Sequence, residues 1–142
     1  MITKLNLKKI AIQKLADAKL LNKSNRTDSS LYLVGYSEEL ALKFKICKIL
    51  KLDKGFPETK FEFERYIRLS DNDLGNEIKE LKEIQNHNLQ KLLYYSGQEY
   101  AIKAQLLNEW TSISYWNPEL RYNLAIGDKN FNELIIKSVE KF

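Results

Sequence analysis

The sequence predicts an all-α fold, a bundle of four to five helices. Two observations support this prediction. Apolar residues recur at spacings of three and four along much of the chain. In addition, the 142 residues include only 5 glycines and 2 prolines, which disfavours sandwiches and barrels because those folds need many tight turns. A chain of this length fits one domain, 1–142, with a sizeable core.

Composition and charge limit the classes of function. The single cysteine, Cys47, excludes an internal disulfide framework. No apolar run is long enough to span a membrane and no signal peptide is evident, so we expect a cytoplasmic protein with no membrane association. The net charge of +4 comes mainly from lysines. These alternate with acids along the predicted helices, which is more typical of solvated faces than of a nucleic-acid interface.

The second predicted helix, 29–50, is the centre of the predicted bundle. It follows a first helix over 6–22 and a polar connection, and it is apolar over most of its circumference, as expected for a helix surrounded by others. Asp28 or a neighbouring serine is the expected N-cap. Gly35 predicts close approach of a neighbouring helix.

The segment 51–76 is predicted to be a less regular insertion. Phe61, Phe63 and Tyr66 alternate with charged residues, which predicts a short strand or an extended segment. Turn-forming residues fill 70–76, and a short helix is predicted from Glu77 to Gln85.

Three helices are predicted in the second half of the chain. Asn88 is the expected N-cap of the first, and Gly97 is expected at the position just after its end. The spacing from Asn130 to Glu133 is that of a capping box and predicts the start of the last helix. The predicted ranges are 88–96, 98–113 and 131–142.

Few residues are candidates for catalysis or for cofactor binding. One histidine and one cysteine do not make a zinc site, the sequence contains no nucleotide-binding or hydrolase motif, and we expect no cofactor. Cys47 lies in an apolar run and is interpreted as a small buried hydrophobe. His87 precedes a helix start, where a structural hydrogen bond is favoured over a role as general base.

The adjacent Glu38 and Glu39 are about 100° apart on a helix, so they cannot act together at one reaction centre. A glutamate on the buried side needs a hydrogen-bond donor, for which the candidates are Lys43, Arg121 or a tyrosine hydroxyl. Glu39 and Lys43 also form an i, i+4 pair in the favourable order. We favour a structural polar network here over a ligand site.

Three stretches of the chain resemble the HEPN superfamily, the higher eukaryotes and prokaryotes nucleotide-binding domain. Residues 15–46 resemble its first helical hairpin, including a helix of the form Y-L-x-G-Y-x-x-E-x-A-L-K. His87-Asn88-Leu89 resembles the family's H-D-L element, with asparagine in place of aspartate. Trp116 and Arg121-Tyr122 resemble a W…R-Y element before the last helix. The hairpin matches are Tyr32, Leu33, Gly35, Tyr36, Glu39, Ala41, Leu42 and Lys43.

The resemblance implies an up-and-down helical bundle that forms a homodimer. Many members of the family work beside a nucleotidyltransferase in a bacterial toxin–antitoxin or defence system, so the resemblance also implies such a partner. Catalytic members of the family are metal-independent ribonucleases with an arginine four to six residues before a histidine. No such arginine precedes His87, since Arg68 lies 19 positions upstream. The ribonuclease activity therefore does not carry over.

We expect a non-catalytic HEPN-like interaction or nucleotide-binding module rather than an enzyme. One alternative is a divergent ribonuclease toxin in which His87 and Arg121 meet in space. The other is an RNA-binding or purely structural bundle, with lysines carrying any RNA contact. The predicted binding residues are Tyr36, Glu39, Lys43, His87, Arg121 and Tyr122.

Overall fold

The computed structural model of the chain is all-α, which confirms the predicted fold class. It describes residues 1–83, 88–105, 107, 110, 111, 132, 133, 136, 137, 139 and 140. Among these residues, six continuous helices and no strand are found: α1 (Lys4–Lys23), α2 (Thr27–Ile49), α3 (Lys60–Leu69), α4 (Asn72–Glu83), α5 (Leu89–Tyr95) and α6 (Glu99–Gln105). The described residues from 107 onward are helical too.

The connection between α1 and α2 is shorter than the sequence suggested. Asn25 adopts a left-handed conformation, φ 61°, and the Arg26 amide donates to the Leu21 carbonyl at 2.8 Å. This tight reversal lets α2 begin at Thr27, with Arg26 as its N-cap residue and no side-chain cap from the described part of the chain. The prediction that Asp28 or a nearby serine caps α2 is therefore wrong.

α2 is the central helix of the described bundle, as predicted. It packs against α1 and also against α5. Its buried residues lie around most of its circumference and include Val34, Leu42 and Ile46, none more than 1% exposed. Gly35 is also buried. An apolar helix of this kind is stable only when neighbours cover more than one of its sides.

α3 replaces the strand or extended segment that was predicted around Phe61–Tyr66, so that prediction is wrong. The Thr59 hydroxyl accepts the Glu62 amide at 3.3 Å, and the Glu62 carboxylate accepts the Glu58 amide at 2.9 Å. This reciprocal arrangement is close to a capping box and starts a helix. Once helical, the segment buries Phe63 on its inner side.

α4 begins in the stretch that was expected to be turns, five residues before the predicted helix. Asp71 accepts the Leu74 amide at 2.8 Å, so its carboxylate satisfies one of the unpaired amides of the first turn. Ile78 and Leu81 are fully buried. α3 and α4 pack against each other as a second helical hairpin.

The predicted boundaries of α5 are confirmed. The Asn88 side chain accepts the Lys91 amide at 3.1 Å, and Gly97 has φ 73°, a conformation that favours glycine after a helix. The predicted 98–113 helix corresponds to α6 and to the helical residues 107, 110 and 111. Asn130 lies outside the described residues.

The segment 50–59 connects the two helical hairpins and also holds the start of the chain. The Phe56 amide donates to the Ile2 carbonyl at 2.9 Å. The Tyr66 hydroxyl accepts the Lys54 amide at 3.1 Å and donates to the Gly55 carbonyl at 2.9 Å. Gly55 has φ 136°, and a Cβ there would overlap the Ile2 carbonyl. Only glycine fits this crossing.

Alanine substitutions at two glycines should have opposite effects on stability. Gly55→Ala should lower the free energy of unfolding by about 3 kcal/mol, because the backbone is strained for a residue with a Cβ and the new methyl group meets another backbone. Gly75→Ala, in α4, should raise it by about 0.5 kcal/mol, since alanine favours helix and the nearest atom to a new Cβ is 3.6 Å away. Urea denaturation followed by circular dichroism measures both values. Equal effects from the two substitutions would contradict the tight crossing at Gly55.

Candidate functional site

Polar side chains of α2 lie inside the core, although the helix is mostly apolar. The buried set is Ser30, Ser37, Glu38, Glu39 and Lys43. A buried polar group destabilises the fold unless it forms a hydrogen bond or loses its charge. Each member of the set therefore either has a partner or needs a physical explanation.

The two serines form hydrogen bonds that join α2 to α1. The Ser30 hydroxyl donates to the Ala18 carbonyl at 2.7 Å, and the Ser37 hydroxyl donates to the Ala11 carbonyl at 2.6 Å. They lie seven positions apart, two helical turns, so they fall on the same side of α2. Their role is structural.

Glu39 and Lys43 form the predicted pair, and Phe56 covers it. The Lys43 ammonium lies 2.7 Å from the Glu39 carboxylate and 5.1 Å from the centre of the Phe56 ring. The side chains of Glu39 and Lys43 are 1% and 9% exposed. The ammonium thus has a counter-charge on one side and an aromatic face on another, which together offset its desolvation.

Tyr36 lies one turn before this pair. Its ring is stacked on that of Tyr32, with centroids 6.4 Å apart and planes 6° from parallel. Partial burial raises the pKa of the Tyr36 hydroxyl, and the nearby Glu39 charge raises it further. Tyr36 therefore stays protonated near neutral pH. We call Tyr36, Glu39, Lys43 and Phe56 the Glu39–Lys43 site.

This site is built to hold an ion pair, not to carry out a reaction. A general base needs a substrate within hydrogen-bond reach, whereas the Glu39 carboxylate is almost fully enclosed. Cys47 is also fully buried, and burial raises its pKa to about 12, which confirms its interpretation as a small buried hydrophobe. In the described part of the chain, no cluster of three or more histidine, cysteine or acidic side chains is placed to hold a metal ion.

Glu38 is the exception among the buried polar groups. It is 0% exposed, and neither carboxylate oxygen has a hydrogen-bond partner in the described part of the chain. Burial raises its pKa to about 8, against a smaller opposing effect of the positive charge of Lys45. A buried glutamate was expected to have a hydrogen-bond donor. Glu39 has one, Lys43, whereas Glu38 has none among the described residues. Glu38 instead avoids a buried charge by remaining mainly protonated at neutral pH.

Half of the predicted binding residues can be located. The structure places Tyr36, Glu39 and Lys43 within about two turns of α2. The other three, His87, Arg121 and Tyr122, lie outside the described residues.

A groove between α3 and α4 was not predicted from the sequence. It has a volume of about 710 Å³. The Phe61 side chain, 66% exposed, contributes to its lining. The capping spacing from Thr59 to Glu62 was the signal that could have revealed α3 and hence the groove. The residues that line this α3–α4 groove are Phe61, Glu64, Ile67, Arg68, Lys79, Glu80 and Lys82.

The described fold and site define a helical bundle with a buried ion pair at its central helix. No described helix has the length and apolar composition required to cross a membrane. Comparisons with protein-family models, with curated proteins and with solved structures find no match to this chain.

Substitutions at the buried pair should be strongly non-additive. Glu39→Gln and Lys43→Met should each lower the free energy of unfolding by about 3 kcal/mol, because each leaves one buried charge without its counter-charge. The double variant should lose much less than the sum, since no unpaired charge remains. Urea denaturation of all four proteins gives the coupling energy. A double variant equal to the sum would show that the two side chains act independently.

Glu38 should make stability depend on pH. Its pKa is about 8 in the folded protein against an ordinary value of 4.5, so the folded chain holds a proton that the unfolded chain releases. This contribution to stability is full below about pH 4.5 and is lost as the pH rises to about 8, at up to about 1.4 kcal/mol per pH unit.

Glu38→Gln should remove this pH dependence. Denaturation midpoints measured between pH 5 and pH 9 should be flatter for Glu38→Gln than for the wild type. Glu77→Gln, at an exposed position on α4, is the matched control and should keep the wild-type slope. An unchanged slope for Glu38→Gln would mean that Glu38 is ionised in the folded protein.

Proposed function

We propose that the chain is a non-catalytic, HEPN-like interaction module that associates with a second copy of itself through the α3–α4 groove. The observation that carries this proposal is the exposure of Phe61 beside an apolar groove in a chain of this size. Exposed apolar surface of this kind marks interaction sites more often than it marks free surface.

The geometry of the groove favours an interface of twofold symmetry. In such an interface each copy contributes the same surface, so a projecting side chain and the groove that receives it must be neighbours. Phe61 lines the groove with a side chain that is 66% exposed, and Ile67 contributes further apolar lining. Aromatic residues inserted into apolar pockets are the usual anchors of protein interfaces.

The charges at the groove also favour self-association. Arg68, Lys79 and Lys82 bring positive charge to the lining, and Glu64 and Glu80 bring negative charge. Lys82 lies 3.6 Å from Glu64 across the hairpin. A surface that carries both signs can complement a copy of itself, whereas a surface of one sign repels its copy.

The Glu39–Lys43 site supports an interaction role over a catalytic or nucleotide-binding role. Each of the two charges has its partner inside the fold, so neither is left to bind a phosphate or to activate a substrate. The resemblance to HEPN proteins adds a second proposed association, with a nucleotidyltransferase of a bacterial toxin–antitoxin or defence system.

Light scattering coupled to size exclusion should test the proposed dimer. At tens of micromolar the wild-type chain should have twice the mass of one chain. Phe61→Glu should be monomeric, because it replaces an exposed aromatic anchor of the proposed interface with a charge. Leu69→Glu is the matched control: Leu69 is also on α3 and is 76% exposed, but it does not line the groove.

Circular dichroism should confirm that both variants remain helical. A wild-type monomer at this concentration would overturn the proposal. Loss of the dimer in Leu69→Glu, with the dimer retained in Phe61→Glu, would move the interface away from the groove.

A further inference from the structure

α1 has an apolar face that is exposed to solvent. Leu5, Ile12 and Leu20 are 61%, 63% and 65% exposed, and Ala16 is exposed between the last two. At 100° per residue these four positions fall within an arc of about 80°, along about 22 Å of helix. We call Leu5, Ile12, Ala16 and Leu20 the α1 stripe. Its opposite face, with Leu7, Ala11 and Ala18, is buried in the core.

Positive charge borders the α1 stripe. α1 contains six lysines and one aspartate. Lys8, Lys9 and Lys23 are exposed, lie within about 60° of Leu5 around the helix axis, and form no ion pair with the described residues. Lys19 differs, because it pairs with Glu140. Two of the three unpaired lysines lie near the start of the stripe and one lies at its end.

We propose that the α1 stripe is a docking site for an acidic amphipathic helix of another protein. The apolar side chains would pack on the apolar face of that helix, and carboxylates beside this face would meet Lys8, Lys9 and Lys23. This inference extends the interaction role proposed above to a second surface and a different partner, and it does not depend on self-association at the α3–α4 groove.

The charge of α1 argues against a second copy as the occupant. Two such helices packed together would bring Lys8, Lys9 and Lys23 of both copies, six lysines in all, to the interface, against only two aspartates. Like charges placed opposite each other across an interface disfavour binding. A partner rich in carboxylates removes this repulsion and adds attraction.

The pattern of side chains argues for a helix over a lipid surface. Ile12, Ala16 and Leu20 follow one another at intervals of four, which forms the ridge that packs into the groove of a neighbouring helix. The small side chain of Ala16 leaves room at the centre for a larger residue of the partner. α1 contains no aromatic residue, whereas helices that lie in a membrane interface often bury tryptophan or phenylalanine.

Two synthetic helical peptides of the length of α1 can test the proposal. Both carry leucines at intervals of three and four along one face, and the residues beside that face are all glutamate in one peptide and all lysine in the other. Fluorescence anisotropy with the full chain should show saturable binding of the glutamate peptide, weaker at high salt, and no binding of the lysine peptide. Absence of glutamate-peptide binding at low salt would overturn the proposal.

Substitutions identify the surface that binds. Ile12→Glu should weaken binding of the glutamate peptide by at least about tenfold, while Leu69→Glu should leave it unchanged. The triple variant Lys8→Glu, Lys9→Glu, Lys23→Glu should reverse the preference and bind the lysine peptide instead. Lys91→Glu, at an exposed position on α5, is the control for a single change of charge and should keep the original preference.

Other occupants would give different results. Sedimentation of the wild type with phosphatidylserine vesicles, abolished by Ile12→Glu, would assign the α1 stripe to a membrane and overturn the proposal. A change from dimer to monomer in Ile12→Glu would assign it to a second copy. If Phe61→Glu is monomeric but still binds the glutamate peptide, the two surfaces act separately. A wild type that is monomeric but binds the glutamate peptide would refute the dimer through the α3–α4 groove and would support the docking site on α1.

Discussion

The burial of α2 is the constraint on which the rest of the described structure depends. A helix enclosed on several sides has no water to satisfy its polar side chains, so the fold must do so. Ser30 and Ser37 donate to carbonyls of α1, which fixes the two longest helices against each other. Glu39 and Lys43 neutralise each other. Glu38 has no partner among the described residues and is neutralised by a proton. Each of these ways of satisfying a buried polar side chain restricts how the neighbouring helices can pack against α2.

The segment 50–59 connects the buried helix α2 to the second hairpin and packs against both. The Phe56 ring covers the Lys43 ammonium and meets the Phe63 ring of α3 edge to face, with centroids 6.4 Å apart. The Phe56 backbone also pairs with Ile2 near the start of α1. Phe56 thus contacts the Glu39–Lys43 pair, Ile2 near the start of the chain, and Phe63 on α3. Phe56 therefore links the ion pair of α2 to α3, one of the two helices that form the α3–α4 groove.

The two surfaces proposed for binding, the α3–α4 groove and the α1 stripe, contain exposed side chains that are not part of the core. The charged groups Glu39 and Lys43 of α2 are buried and paired with each other. Two exposed surfaces among the described residues differ in character. The α3–α4 groove carries both signs of charge and suits a copy of itself, whereas the α1 stripe is bordered mainly by lysines and suits an acidic partner. Both surfaces include exposed apolar side chains, Phe61 in the groove and Leu5, Ile12 and Leu20 in the α1 stripe, which is the basis for proposing association.

The sequence by itself determined the fold class, the central place of α2 and the Glu39–Lys43 pair, because these follow from the spacing of residues within one helix. It also determined the cap at Asn88 and the left-handed Gly97, which are local. It did not lead to α3, since the short alternation of Phe61 and Phe63 resembled a strand and outweighed the capping spacing from Thr59 to Glu62; the helix also buries Phe63. Phe56 over Lys43, the isolated carboxyl of Glu38 and the exposed face of α1 were decided by tertiary structure. Each depends on which residues distant in the chain come together, and residue spacing within one segment carries no information about that.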